Sequence, residues 1–132
     1  MQRASLVVRS LWAAGLLVGG LNHGLILLRH GPFWDYGGVA WPSAAYWTSL
    51  TVLDPVVAVL LFLRPRVGVV ATILLISTNV VHNLAIAARF GPEADLLARA
   101  TANPFILSQV GFMLFVWATA PTAWQGEDRG GM

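Results

Sequence analysis

The sequence predicts an all-α protein, a bundle of four transmembrane helices, and three observations support this fold class. Of the 132 residues, 57% are hydrophobic and only 11% are charged, whereas a soluble domain carries about 25% charged residues. Four apolar segments approach the roughly 20 residues that a helix needs to cross a bilayer. Prolines and arginines fall mainly at the edges of those segments. The bundle uses the whole chain, so we expect a single membrane domain over residues 1–132.

Each predicted span is an apolar run with polar edges. The spans cover approximately residues 5–28, 43–63, 67–88 and 104–120. The first is long for the apolar stretch of a cleaved signal peptide, the alternative for this segment, and it contains Asn22 and His23 instead of a small-residue cleavage site. Only Arg64-Pro65-Arg66 separates the second span from the third. Pro104 opens the fourth span at a position where a helix tolerates proline.

Two longer connections have distinct compositions. Residues 29–42 are rich in aromatic side chains, which predicts a belt at the membrane interface or, alternatively, a lid over a cavity. Residues 91–99 contain Pro92 beside acidic side chains, a pattern that starts helices, so we expect a short interfacial helix there. Residues 125–132 are expected to be a frayed polar tail.

The arginines near the span ends favour one orientation. One end of the bundle would hold Arg3, Arg9, Arg64, Arg66 and Arg129, and the other would hold Arg29, Arg89 and Arg99. Basic residues accumulate on the cytoplasmic side, so we expect both termini to lie in the cytoplasm. We expect the membrane to be a bacterial plasma membrane. The net charge of +2 comes from these flanking arginines, so it indicates membrane topology and no nucleic-acid partner.

Seven polar side chains inside the predicted spans are the main indication of function. They are Asn22, His23, Asp54, Asn79, His82, Asn83 and Gln109. An acid at the centre of a spanning helix costs about 2.5–3.5 kcal/mol, so such residues usually face a protein-lined cavity. A rise of about 1.5 Å per residue brings polar groups of all four spans to one broad layer, slightly toward the outer face. We therefore predict a polar cavity that all four helices surround.

Asp54 is the strongest candidate for the central charge of that cavity. Pro55 follows it and has no N–H, so the carbonyl of Thr51 loses its partner and the helix tends to kink. The candidate catalytic residues are Asp54, His23 and His82, and the candidate ligand-binding residues are Asn22, Asn79, Asn83, Gln109, Trp47 and Thr51. Alternatively, Asp54 pairs with a neighbouring Asn or His only to hold the bundle together. Interhelical hydrogen bonds in membranes average about 0.6 kcal/mol, which hardly offsets the cost of inserting an acid.

Two pairs of small residues lie on the first span. Gly15 with Gly19 and Gly20 with Gly24 follow the small-xxx-small pattern that lets helix backbones approach closely. They predict helix packing and permit a homodimer. The chain has no cysteine, so disulfides, thiolate nucleophiles and Cys-ligated zinc or iron–sulfur sites are excluded. We predict no metal ion and no cofactor, with haem as the alternative.

Three short motifs are similar to those of a known family. They are Leu21-Asn22-His23 late in the first span, residues 42–50 leading to Asp54, and Asn103-Pro104-Phe105-Ile106-Leu107 at the start of the fourth span. In these motifs and in the number and order of spans, the chain resembles the EXPERA family, which includes the emopamil-binding sterol isomerases and the sigma-2 receptor. The family's second-span acid is commonly Glu, and its first outer loop is longer and carries further acids. The resemblance implies binding of sterols or related amphiphiles, with double-bond isomerisation as the reaction.

Three functions agree with this pattern. The favoured one is binding of a membrane lipid or a lipid-like, sterol- or isoprenoid-like molecule, with acid–base isomerisation if the ligand is turned over. The second is a b-type haem protein in which His23 and His82 hold the iron from two helices. The third is a small transporter or an accessory subunit of a membrane complex, with Asp54 as a proton-coupling or assembly site.

Overall fold

The fold is an antiparallel bundle of four α-helices. The computed structural model describes residues 2–90 and 102–125. The helices are α1 (Gln2–His30), α2 (Trp41–Leu63), α3 (Pro65–Phe90) and α4 (Pro104–Trp124). No strand occurs in these two ranges, so the predicted all-α class and the four predicted spans are confirmed. The helix expected at 91–99 and the tail beyond residue 125 lie outside the described residues.

All four helices are long and apolar enough to cross a membrane, which makes the chain an integral membrane protein. Each helix packs against the next along the chain, and α4 packs back against α1, so the bundle is closed. The residues at 31–40 connect α1 to α2 at one end, which we call the first-loop end. The opposite end, which we call the hairpin end, holds Arg64 between α2 and α3.

The apolar core lies mainly toward the hairpin end. Trp12 is fully buried, and its indole N–H donates to Thr119 Oγ1 on α4 at 2.9 Å. The hydroxyl of Ser5 donates to the carbonyl of Ala123 at 3.0 Å. Trp12 belongs to a buried apolar cluster with side chains of the other three helices, among them Leu61, Val69 and Val116. These contacts join α1 to α4 at this end and leave the other half of the bundle to the polar residues.

Two residues allow the tight turn between α2 and α3: Pro65, which has no backbone N–H, and Gly68, which has no Cβ. Pro65 begins α3 and has no N–H, so it cannot bond the carbonyl of Leu61 four residues earlier. That carbonyl instead accepts from Arg9 Nη1 at 2.9 Å. At Gly68, an added Cβ would lie 2.6 Å from the backbone carbon of Leu60. Only glycine therefore fits at position 68, where the start of α3 contacts the backbone of α2.

The first-loop end is shaped by turns and a helix cap. Gly31 ends α1 with a φ of +87° and donates its N–H to the carbonyl of Leu27 at 2.8 Å, the backbone arrangement that favours glycine after a helix. At the start of α4, Asn103 Oδ1 accepts from the N–H of Phe105 at 3.0 Å and from that of Ile106 at 3.4 Å. This cap fixes the entry of α4 beside the polar half of the bundle.

Candidate functional site

The polar half of the bundle encloses a cavity with two adjoining parts. The larger part, which we call the first lobe, has a volume of about 550 Å³ and receives side chains from all four helices. Its polar lining consists of Asn22, His23, Asp54, Asn79, Ser108 and Gln109. Five of the seven polar residues singled out in the sequence thus meet in one space.

The smaller part, the second lobe, lies toward the first-loop end and has a volume of about 340 Å³. Its polar and aromatic lining comprises Asn22, His23, Tyr36, Trp47, Asn83 and Asn103. The two lobes share Asn22, His23 and Phe105. The two lobes therefore adjoin along these residues.

Asp54 lines the first lobe, and its side chain packs closely against α1. Its residue surface is only 7% exposed. A Cβ added to Gly19 would stand 2.9 Å from Asp54 Oδ2, and one added to Gly20 would stand 2.9 Å from Cδ of Pro55. The glycines of α1 therefore make room for the Asp54-Pro55 step, and α2 continues as a helix through it.

No described side chain donates a hydrogen bond to the Asp54 carboxylate. This bears on the alternative in which Asp54 holds the bundle together through a neighbouring Asn or His. The structure provides no such pair among the described residues. A buried carboxylate without a donor is costly unless something else supplies one, so the acid is available to a ligand.

His23 is a second ionisable side chain that lines the first lobe with Asp54. It is 6% exposed and lines both lobes. Its Nδ1 is buried and makes no hydrogen bond. The imidazole and the Asp54 carboxylate thus face the same first lobe from α1 and α2, which brings together two of the three candidate catalytic residues.

A chain of hydrogen bonds links α2, α3 and α4 beside the cavity. The indole N–H of Trp47 donates to Asn83 Oδ1 at 2.8 Å, and Asn83 Nδ2 donates to Gln109 Oε1. Trp47 and Asn83 line the second lobe, whereas Gln109 lines the first. Three of the residues predicted to bind a ligand are therefore joined to one another.

His82 and Thr51 lie outside both lobes. His82 Nε2 bonds to Ser43 Oγ at 2.9 Å, and its ring meets the edges of Tyr46 and Trp47 with centroid distances of 4.7 and 5.2 Å. Thr51 faces Gly24, whose added Cβ would stand 3.6 Å from Thr51 Cγ2. A haem held by two histidines requires both rings at one site. His23 lines the cavity and His82 does not, so the arrangement does not fit that alternative.

Several wall residues were not predicted from the sequence. Phe105, Ser108 and Phe112 line the first lobe from α4, and Tyr36 lines the second lobe from the first loop. Phe105 and Phe112 lie four residues before and three after Gln109, so they share its helix face. That spacing was the available signal. Tyr36 had no such signal, because its place depends on a hydrogen bond of 3.2 Å between its hydroxyl and Thr48 Oγ1.

The first lobe opens sideways between α1 and α4. Four of its lining residues are exposed: Ala14 and Val18 on α1, and Phe105 and Ser108 on α4. Helices α1 and α4 contact each other at the hairpin end through Trp12 and Thr119, and nearer the middle a Cβ on Gly15 would meet the ring of Phe112. Beyond that contact the lobe lies between them. Both helices are long and apolar enough to cross a membrane, so this opening lies on the side of the bundle and not at either end.

The chain matches no family model, no curated protein and no solved structure. Among the described residues, no three His, Asp or Glu side chains group as metal ligands would. The similarity to the EXPERA family therefore stays an expectation from short motifs, and the cavity is the main evidence of function.

Proposed function

We propose that this protein binds a lipid-like small molecule, a sterol- or isoprenoid-like amphiphile, in the two-lobed cavity. The polar group of the ligand binds at Asp54, and its apolar body occupies the rest of the space. The single observation that carries the proposal is the Asp54 carboxylate, which is buried, lacks any donor among the described side chains and lines a cavity with exposed residues on α1 and α4.

The dimensions of the cavity support a ligand of this size. Small-molecule pockets usually measure about 300–1,000 Å³ and combine an apolar lining with a few polar groups. The first lobe alone, about 550 Å³, lies within that range. Its wall includes Leu16, Ile76 and Phe112 beside the polar groups. An amphiphile with one polar end matches such a lining.

The sideways opening supports a ligand that arrives from the membrane. Val18 at the rim is 68% exposed and Phe105 is 47% exposed. Both side chains are apolar, and the hydroxyl of Ser108 beside them donates to the carbonyl of Phe105 at 2.7 Å, so a molecule dissolved in the bilayer meets mainly apolar surface there. In this proposal the first-loop end faces outward and both termini lie in the cytoplasm, as the arginine distribution indicates.

Acid–base chemistry is a natural extension of the same site. Asp54 and His23 line one lobe, and a carboxyl group and an imidazole can exchange protons with a bound molecule. In this proposal they take the catalytic roles, whereas His82, bonded to Ser43, has none. The EXPERA-like motifs support double-bond isomerisation as the reaction class, with the membrane lipid or its relative as substrate.

The test is mass spectrometry of small molecules that co-purify with the detergent-solubilised protein. Asp54→Asn removes the charge and keeps the shape, and Asp35→Asn makes the same change at an exposed loop residue outside both lobes. We expect an amphiphile with the wild type and with Asp35→Asn, and its loss with Asp54→Asn. Retention of the same amphiphile by Asp54→Asn, or haem in the wild-type sample, would overturn the proposal.

A further inference from the structure

We propose that Gln109 presents a fixed hydrogen-bond donor to the ligand, and that Trp47 sets this polarity from a distance through Asn83. Gln109 is then a specificity-determining residue that selects ligands with an acceptor oxygen at the polar end. The inference rests on the proposed function, because it concerns the ligand of the same cavity.

The polarity follows from the donor and acceptor capacities of the three side chains. The indole N–H of tryptophan can only donate, so the Asn83 atom that it meets at 2.8 Å must be the oxygen. The other end of the Asn83 amide is then the NH₂ group, which can only donate to Gln109. The Gln109 atom that receives it must be Oε1. An amide orientation that usually has to be inferred from its surroundings is thus determined by one indole.

This orientation decides which end of the Gln109 amide is left for the first lobe. With Oε1 of Gln109 engaged by Asn83, the NH₂ group is the part of this side chain that remains for the cavity. It has no acceptor among the described residues, and the side chain is only half-buried. Gln109 therefore offers a donor where Asp54, when ionised, offers only acceptors.

This pair of groups separates ligands by their polar end. A hydroxyl group can donate to the Asp54 carboxylate and accept from the Gln109 amide. A ketone can only accept, so it satisfies Gln109 and leaves Asp54 without a donor. An alkylammonium group can only donate, so it satisfies Asp54 and leaves Gln109 unpaired. A hydroxyl group is therefore the polar end that can satisfy both residues, whereas an ammonium group gains the charge attraction of Asp54 but no bond from Gln109.

The experiment compares three probes that share one apolar chain: hexadecan-1-ol, 2-hexadecanone and hexadecylammonium. Their binding to the purified protein in lipid nanodiscs is measured by native mass spectrometry. Gln109→Glu keeps the shape and the acceptor for Asn83 but replaces the donor by a second acceptor. We expect it to weaken ketone binding by about tenfold, the scale of one lost hydrogen bond, and to leave or strengthen ammonium binding.

Trp47→Phe tests whether Trp47 sets the orientation of the Gln109 amide through Asn83. It removes the indole N–H, so the Asn83–Gln109 pair can reverse, and we expect a smaller loss of ketone binding in the same direction. Trp41→Phe is the matched control, because Trp41 is 80% exposed and lines neither lobe. Unchanged ratios among the three probes in both Gln109→Glu and Trp47→Phe would overturn the inference.

The outcomes for the two proposals are distinguishable. If the wild type binds none of the three probes and co-purifies with no amphiphile, the proposed function fails. The polarity is then decided by ¹⁵N NMR of the side-chain amides. We expect the Asn83 NH₂ signal to shift on Trp47→Phe and to stay unchanged on Trp41→Phe. An Asn83 signal insensitive to Trp47→Phe would refute the relay even without a ligand.

Discussion

The carboxylate of Asp54 on α2 rests against Gly19 on α1, so closely that a single methyl group on Gly19 would stand 2.9 Å from Oδ2. Real Cβ contacts are longer than this, so Gly19→Ala must displace the acid. We expect this variant to fold, because alanine favours helices over glycine by up to about 1 kcal/mol, and to lose most of its bound amphiphile. Co-purified ligand per mole of protein is the measurement.

Gly24→Ala is the matched control for Gly19→Ala. It lies on the same helix, and its Cβ would stand 3.6 Å from Thr51 Cγ2, an ordinary contact. The gain in helix propensity is the same, so ligand content should remain at the wild-type level. Equal ligand content in both variants would show that the position of the Asp54 carboxylate does not matter.

Because the first lobe opens sideways, a larger side chain at its rim should slow the entry of a ligand. Val18 is 68% exposed and lines the lobe, whereas Leu21 on the same helix is 63% exposed and lines neither lobe. We expect Val18→Trp to slow or prevent uptake of an amphiphile from lipid vesicles, and Leu21→Trp to leave uptake unchanged. The measurement is the rate at which ligand-stripped protein regains ligand after reconstitution. Equal rates in both variants would argue against entry between α1 and α4.

The spans and the polar layer were predictable because both depend on patterns within single segments. Apolar runs and their edges predicted four helices, and the structure extends each by only a few residues. Asn22, His23, Asp54, Asn79 and Gln109 were predicted to meet, and they line one lobe. The cost of burying such groups in lipid is a property of each residue alone. A single sequence is therefore enough to select them.

What could not be predicted depends on contacts between segments. His82 shares the depth of His23, yet its ring bonds to Ser43 on α2 instead of facing the cavity. Asn83, the next residue along α3, lines the second lobe and accepts from the indole of Trp47, whereas His82 lines neither lobe. Gly68 has no sequence pattern that marks it, and its role follows only from the backbone of α2 beside it. Which side chain faces the cavity, and where only glycine fits, depends on packing between helices and cannot be read from one segment alone.

The orientation of the bundle is testable because the chain contains no cysteine. A single cysteine at Phe33, which is 97% exposed in the first loop, or at the exposed Arg64 of the hairpin reports each side separately. We expect a membrane-impermeant maleimide added to intact cells to label Phe33→Cys, and to label Arg64→Cys only after permeabilisation. The opposite pattern would invert the topology that the arginines indicate.

A last prediction concerns stability at the hairpin end, where Arg9 supplies the donor that Pro65 cannot. Arg9 Nη1 lies 2.9 Å from the carbonyl of Leu61, near the negative end of the α2 dipole. Arg9→Met keeps much of the apolar stem and leaves that carbonyl without its side-chain donor, so we expect a loss of about 1–3 kcal/mol in the free energy of unfolding.

Unfolding of the detergent-solubilised protein by SDS measures the effect of Arg9→Met. Arg3→Met removes an exposed arginine from the same helix and should change the free energy of unfolding much less. Arg9→Lys keeps a charged donor and should restore part of the loss. If Arg9→Met and Arg3→Met unfold at the same SDS concentration as the wild type, the bond to Leu61 contributes nothing, and the tight turn between α2 and α3 is held by the packing at Gly68 alone.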